Sequence, residues 1–284
     1  MKTINCFIPC ADAQQVKATV DGLRQNALVS KIFLLASDAN VAVEGCEVIT
    51  IDTLNSSATM KKIANAAEGD YTLFYTKYNN LVMGYLALER MVRLANDSKA
   101  AMVYADNYQV VEGKKSNAPV IDYQFGSLRD DFNFGSVLFF NTKALKAATA
   151  EIDAEYTAAG LYDLRLKVSR QGDLVHINEY LYTEIALPVT TEGESHFSYV
   201  DPKNRGVQIE MEQACTDHLK KIGGYLEPKF EEINFNQGDF EYEASVIIPV
   251  RNRVRTVRDA IKSVLAQKTD FKFNLIIIDN GSTD

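Results

Sequence analysis

Apolar residues recur along this chain at two spacings. Short runs such as Asn5-Cys-Phe-Ile-Pro9, Ile32-Phe-Leu-Leu35 and Tyr71-Thr-Leu-Phe-Tyr75 are bounded by polar loops. They suit parallel strands buried on both faces. Between the first two, Val16, Val20 and Leu23 fall at i, i+4, i+7, one stripe of a helix lying on a sheet. The alternation predicts strands at 3–9, 31–36, 47–51, 71–75, 101–104, 137–140 and 174–177. It predicts helices at 12–26, 58–67, 84–95, 142–149 and 161–169. In the third helix Leu86, Met91 and Leu94 are expected to face inward, and Asp106-Asn107 to form an acidic loop. Strand and helix alternate through the first half, and the second half is mixed. This order predicts an α/β domain with a mostly parallel sheet and flanking helices.

The opening pattern returns about 240 positions later. Ser245-Val-Ile-Ile-Pro249 echoes the first run, Val257, Ile261 and Val264 the helix stripe, and Leu275-Ile-Ile-Ile278 the second run. A repeat of this kind implies one domain followed by a second, similar one. Between them, Glu192, Gly193, Glu194 and Ser195 read as a polar loop. Val207, Met211, Cys215 and Leu219 form one apolar stripe on a helix over 205–222. The expected division is therefore a domain at 1–190, a helical linker region at 191–243, and a β-α-β unit at 244–284. A unit of about 40 residues is too small to bury its own faces. It is expected to continue past Asp284, and to dock meanwhile on the first domain or on a second copy of the chain.

Composition narrows the chemistry. The chain has 284 residues, 46% of them hydrophobic, and a net charge of -8 with no basic run beyond two lysines. That argues against a nucleic-acid surface. Cys6, Cys10, Cys46 and Cys215 lack metal spacing and read as reduced thiols of a cytosolic protein. His176, His196 and His218 are isolated, which argues against a histidine metal site. The opening residues lack the long apolar core of a signal peptide, and no run approaches a membrane span. No Gly-x-Gly-x-x-Gly follows either first strand, which argues against a dinucleotide-binding oxidoreductase.

Three stretches carry a resemblance. Ser245–Asn252, the helix after it and Ile278-Asp-Asn-Gly-Ser-Thr-Asp284 closely resemble the opening of family 2 glycosyltransferases of the GT-A fold. The first domain is similar in a weaker way through Glu68-Gly-Asp-Tyr-Thr-Leu-Phe74, Phe134–Phe140 and Leu161-Tyr-Asp-Leu-Arg-Leu-Lys167. The resemblance implies a nucleotide-sugar donor, a glycan acceptor and a role in bacterial surface polysaccharide synthesis. It also implies a cytoplasmic place, the inner membrane face included. Donor-nucleotide positions would be Pro9, Lys77, Pro249, Arg251, Asn252, Asp279 and Asn280, and Asp163 would be the base that deprotonates the acceptor. Each has a plainer alternative. Asp163 also suits a helix start, Lys77 a solvated loop, and Asp279-Asn280 an Asn-Gly turn. Asp106-Asn107 and Arg129-Asp130-Asp131 read first as turns, with sugar hydroxyls as the alternative. Tyr71, Tyr75, Tyr78 and Tyr85 read first as packing, with sugar stacking as theirs.

The first domain departs from the pattern where the chemistry would sit. In the family the strand after Gly-x-Tyr runs into paired carboxylates that hold a divalent cation, but here Thr76-Lys77-Tyr78-Asn79 stands in their place. No metal is expected in this domain, whereas Mg²⁺ or Mn²⁺ remains open for an intact second one. Two functions follow: transfer of a sugar to a growing glycan, or a first domain that only binds or scaffolds the glycan.

Overall fold

A computed structural model describes residues 2–187, 205–234, 238 and 240–284. The chain divides into two compact units, Met1–Leu226 and Glu227–Asp284. The expected boundary near 190, the polar loop at Glu192–Ser195 and His196 lie outside the described residues.

The first unit begins with β1 (Ile4–Pro9), α1 (Ala13–Arg24), β2 (Val29–Ala36), β3 (Glu47–Thr50), α2 (Ser57–Ala66) and β4 (Tyr71–Tyr75). These follow the predicted alternation closely. Next come β5 (Asn80–Met83), α3 (Ala87–Ser98), β6 (Met102–Val111), β7 (Lys114–Ala118), β8 (Val137–Asn141), α4 (Thr142–Ala150), α5 (Gly160–Val168), β9 (Leu174–Ile185) and α6 (Arg205–Ile222). The sheet runs β3-β2-β1-β4-β8-β6-β9-β5, with β7 beside β6. Strands β1 to β4, β6 and β9 share one direction, while β5, β7 and β8 oppose it. The fold is thus a mixed, mostly parallel α/β sheet with helices on both faces.

Period two along the strands divides the core. Ile4, Cys6 and Ile8 of β1 join Val16, Val20 and Met91 on one face. Phe7 points the other way and stacks on Phe33, 4.7 Å between ring centroids. That face carries Met60, Ile63, Leu145 and Leu164 from α2, α4 and α5. Local capping fixes the helix starts. Asp12 accepts from the Gln14 and Gln15 amides, both at 2.9 Å, and Ser56 accepts from Thr59.

Four expectations fail for identifiable reasons. Leu86 does not face inward. It precedes α3 with φ 53° and is 52% exposed, because α3 starts at Ala87 and not at Gly84. Asp106 and Asn107 are not a loop: β6 runs on to Val111 and buries both. Strands β5 and β7 carry no apolar alternation. β7 exists because Glu112 and Gly113, at φ 49° and 76°, supply the tight turn back from β6. Helix α6, expected in a linker, lies in the first unit. Its Ala214, Met211 and Cys215 pack with Tyr156, Tyr162 and Leu166.

The second unit holds β10 (Ala244–Val250), α7 (Val254–Leu265) and β11 (Phe273–Asp279). Its strands pair in parallel with Val246 beside Leu275 and Pro249 beside Ile278. This is the repeat read from the sequence, since Pro9 sits beside Leu35 in the same way. Among the described residues no helix is long and apolar enough to cross a membrane.

Candidate functional site

The strand order β3-β2-β1-β4 reverses between β1 and β4, and ligands of open α/β sheets bind beyond the carboxyl ends at such a point. In the first unit that point is strapped. The Ala11 amide donates to Gln15 Oε1 at 3.1 Å, and Gln15 Nε2 donates to the Tyr78 carbonyl at 2.6 Å. One side chain thereby joins the loops after β1 and β4. Pro9 is buried beside Leu35, and burial pushes the Cys10 thiol up to about 11, so it is a protonated thiol at neutral pH.

Lys77 belongs to the same loop. Its Nζ lies 3.0 Å from Glu184 Oε1, which also accepts from Asn79 Nδ2 at 2.7 Å. Glu184 is buried, so the lysine and the amide neutralise and saturate it. Among the described residues this cluster does not fit a divalent cation, because a cationic side chain already holds its carboxylate, Glu184.

A cavity of about 360 Å³ opens beside the end of β4. Thr76, Asp130, Phe132, Phe134, Tyr162 and Arg165 line it among others. Helix α5 turns Leu161, Tyr162 and Arg165 toward it, none of them a carboxylate. Asp163 is not in the lining. It is 1% exposed and ion-paired with Lys167 one turn on, while Asp217 of α6 stands 3.9 Å from the same amine. Burial pushes the Asp163 carboxyl up against the pull of Lys167. The geometry therefore makes Asp163 a partner at the α5–α6 contact and does not bring it to the cavity. Asp130 and Asp131 do border the cavity, from an exposed loop where Arg129 holds Asp131 at 2.6 Å.

The second unit holds counterparts of β1 and β2, β10 and β11, and polar groups gather in the loops after them. Asn252, at φ 52° after β10, donates its amide to Ser282 Oγ at 2.9 Å. Its side-chain oxygen accepts from the Thr283 amide at 2.8 Å. Asp279 accepts from the Ser282 amide at 3.0 Å, and these Ser282 bonds hold its carboxyl below the usual range. The Asn280 amide donates to the Val250 carbonyl at 2.8 Å, and Asp284 caps α7 through the Val254 amide at 3.0 Å. Of the residues singled out in the sequence, Asn252, Asp279 and Asn280 converge here. Arg251 is exposed beside them, and Pro249 lies one residue before the end of the strand, against Ile278. Here the side chains of Asn252, Ser282 and Asp284 join the two loops, and Asp279 stays exposed beside them.

Sequence reasoning missed Gln15, Glu184, Arg165 and the bracing roles of Ser282 and Asp284. Gln15 had a signal, since Asp12-x-x-Gln15 is the spacing of a capping box. Glu184 had none, because it lies 107 residues from its partner.

Fold and loops together define an α/β protein with a mixed, mostly parallel sheet. Residues 245–284 match the model of glycosyl transferase family 2. No curated protein gives a significant match. Among solved structures, S. aureus TarS 1–349 with UDP-GlcNAc aligns at TM-score 0.49 and 13% identity, over 76% of this chain and 71% of that one. The same protein without that ligand aligns at TM-score 0.48 and 10% identity, over 64% of this chain and 60% of that one. The bifunctional IspDF of Campylobacter jejuni aligns at TM-score 0.38 and 13% identity, covering 62% and 50%.

Proposed function

We propose that this chain serves a glycosyltransferase that moves a sugar from a nucleotide-sugar donor to a glycan acceptor, in surface polysaccharide synthesis. In this reading the loops of residues 245–284 engage the donor nucleotide, and the first unit is a non-catalytic module that binds the glycan. One contrast carries the reading. The same β-α-β opening occurs twice, and only the second copy carries an exposed acid, Asp279, at the end of its second strand, where the first copy has the buried Ala36. In the first copy Gln15 ties the loops and Lys77 replaces the carboxylates. A carboxylate at that edge accepts hydrogen bonds from a base or ribose, which the methyl group of Ala36 cannot do.

The test is calorimetric titration of the full chain with a panel of nucleotide sugars, with and without Mn²⁺. Asp279→Ala is expected to weaken binding by about tenfold or more, the scale of one charge-assisted hydrogen bond. Lys77→Ala is expected to leave it unchanged. Loss of binding in Lys77→Ala with Asp279→Ala unaffected would place the donor in the first unit and refute the assignment.

A further inference from the structure

The cavity beside β4 contains a charge that the protein itself leaves incompletely answered. Arg165 is 7% exposed, yet its guanidinium bonds only to two main-chain carbonyls, Ser127 at 3.4 Å and Arg129 at 3.0 Å. Its Nε is buried without a partner. The rings of Phe134 and Tyr162 lie 5.5 and 4.8 Å from its central carbon, which offsets part of the desolvation. Burial still pulls the guanidinium below its ordinary value. The Asp130 carboxylate acts on it electrostatically from an exposed place on the rim, and no hydrogen bond joins the two among the described residues. A buried charge normally has a hydrogen-bonded partner of opposite sign. A planar fork with unused donors is suited to a carboxylate or a phosphate.

We infer that this cavity is a binding site for a saccharide bearing an anionic group, with Arg165 holding the carboxylate or phosphate ester. Aromatic walls from Phe132, Phe134 and Tyr162 suit the apolar face of a sugar ring, and Thr76 and Asn133 offer groups for its hydroxyls. The inference rests on the reading of the first unit as a glycan-binding module, and it names the class of glycan: an acidic one.

The experiment is a ligand-observed NMR titration of the full chain with glucuronate, glucose 6-phosphate, glucose and inorganic phosphate. It is repeated on Arg165→Met and on Asn55→Trp. Asn55 is an exposed cavity position whose backbone carbonyl accepts from the Leu161 amide of α5 at 3.1 Å, a bond that a change of its side chain leaves in place. At least one sugar anion is expected to bind about tenfold tighter than glucose, as a charge-assisted pair implies. Inorganic phosphate should bind more weakly than that sugar anion. Whichever anion prevails identifies the source. Arg165→Met should erase the preference while glucose still binds, and it should not lower Tm, because an apolar replacement relieves an unpaired buried charge. Asn55→Trp should block every saccharide. Equal binding of glucose and both sugar anions overturns the inference and leaves the glycan-binding reading standing. Absence of all saccharide binding overturns both. A preference that survives in Arg165→Met also overturns the inference. If that variant fails to fold, the wild-type preference and its loss in Asn55→Trp decide the matter.

Discussion

At the residue scale, the α5–α6 contact concentrates buried ionisable groups. His218 is 1% exposed, and its Nδ1 sits 3.1 Å from Arg170 Nη1. Arginine only donates, so Nδ1 accepts and the ring is neutral with its proton on Nε2. Burial, reinforced by Arg170, Arg165 and Lys167, pulls the imidazole down to about 4. An unfolded histidine titrates near 6.5, so between pH 6.5 and 4 the unfolded chain takes up a proton that the folded chain refuses. Stability is therefore fully present above pH 6.5 and declines as pH falls through that window, by on the order of 3 kcal/mol for a shift of this size. Urea unfolding at pH 7 and pH 4.5 checks this. His218→Leu should show a clearly shallower loss between the two pH values, and a loss equal to wild type would contradict the assignment. The sequence could not show this, because His218 looks isolated until α6 packs on α5. The same holds for Asp163. Its Asp-x-x-x-Lys spacing to Lys167 allowed an internal ion pair, but only the packing of α6 buries that pair and takes it out of solvent.

At the scale of elements, α5 depends on α6 for its start. Ala159, at its N-terminus, has no side chain to cap with. Glu210 of α6 supplies the cap, accepting from the Thr157 amide and hydroxyl and from the Ala158 and Ala159 amides at 2.8 to 3.1 Å. Burial alone would raise the Glu210 carboxyl, but these donors outweigh it and hold it below the usual value. Glu210→Ala is expected to cost about 2 kcal/mol, since it leaves partly buried amides unpaired at a helix N-terminus. Amide exchange in the first turn of α5 should accelerate accordingly, and unchanged exchange would show that the cap contributes nothing. The elements read correctly from sequence were those whose signal is local and strong. Strand β1 is apolar at nearly every position, and the α6 stripe at 207, 211, 215 and 219 gave its limits. Strands β5 and β7 escaped because edge pairing, not apolar patterning, defines them. Strand β9 was read as four residues, although its polar positions Glu179 and Glu184 continue it between β6 and β5.

At the scale of the molecule, one supersecondary unit appears twice with different fates. The parallel strands, the intervening helix and even the terminal Pro recur, so the repeat was legible from residue pattern alone. What diverged lies in the loops at the carboxyl ends. The loss of paired carboxylates at 76–79 could be read from sequence, but the Gln15 strap and the Glu184 clamp that close the first copy required long-range contacts. The proposed division of labour follows from that divergence: the donor nucleotide at the second copy, an acidic glycan at the first. Hydrogen–deuterium exchange of the full chain, with and without a saturating nucleotide sugar, tests this most directly. Protection is expected in peptides spanning 250–254 and 278–284, with peptides at 9–15 and 75–79 unchanged. Protection confined to 9–15 and 75–79 would contradict the account.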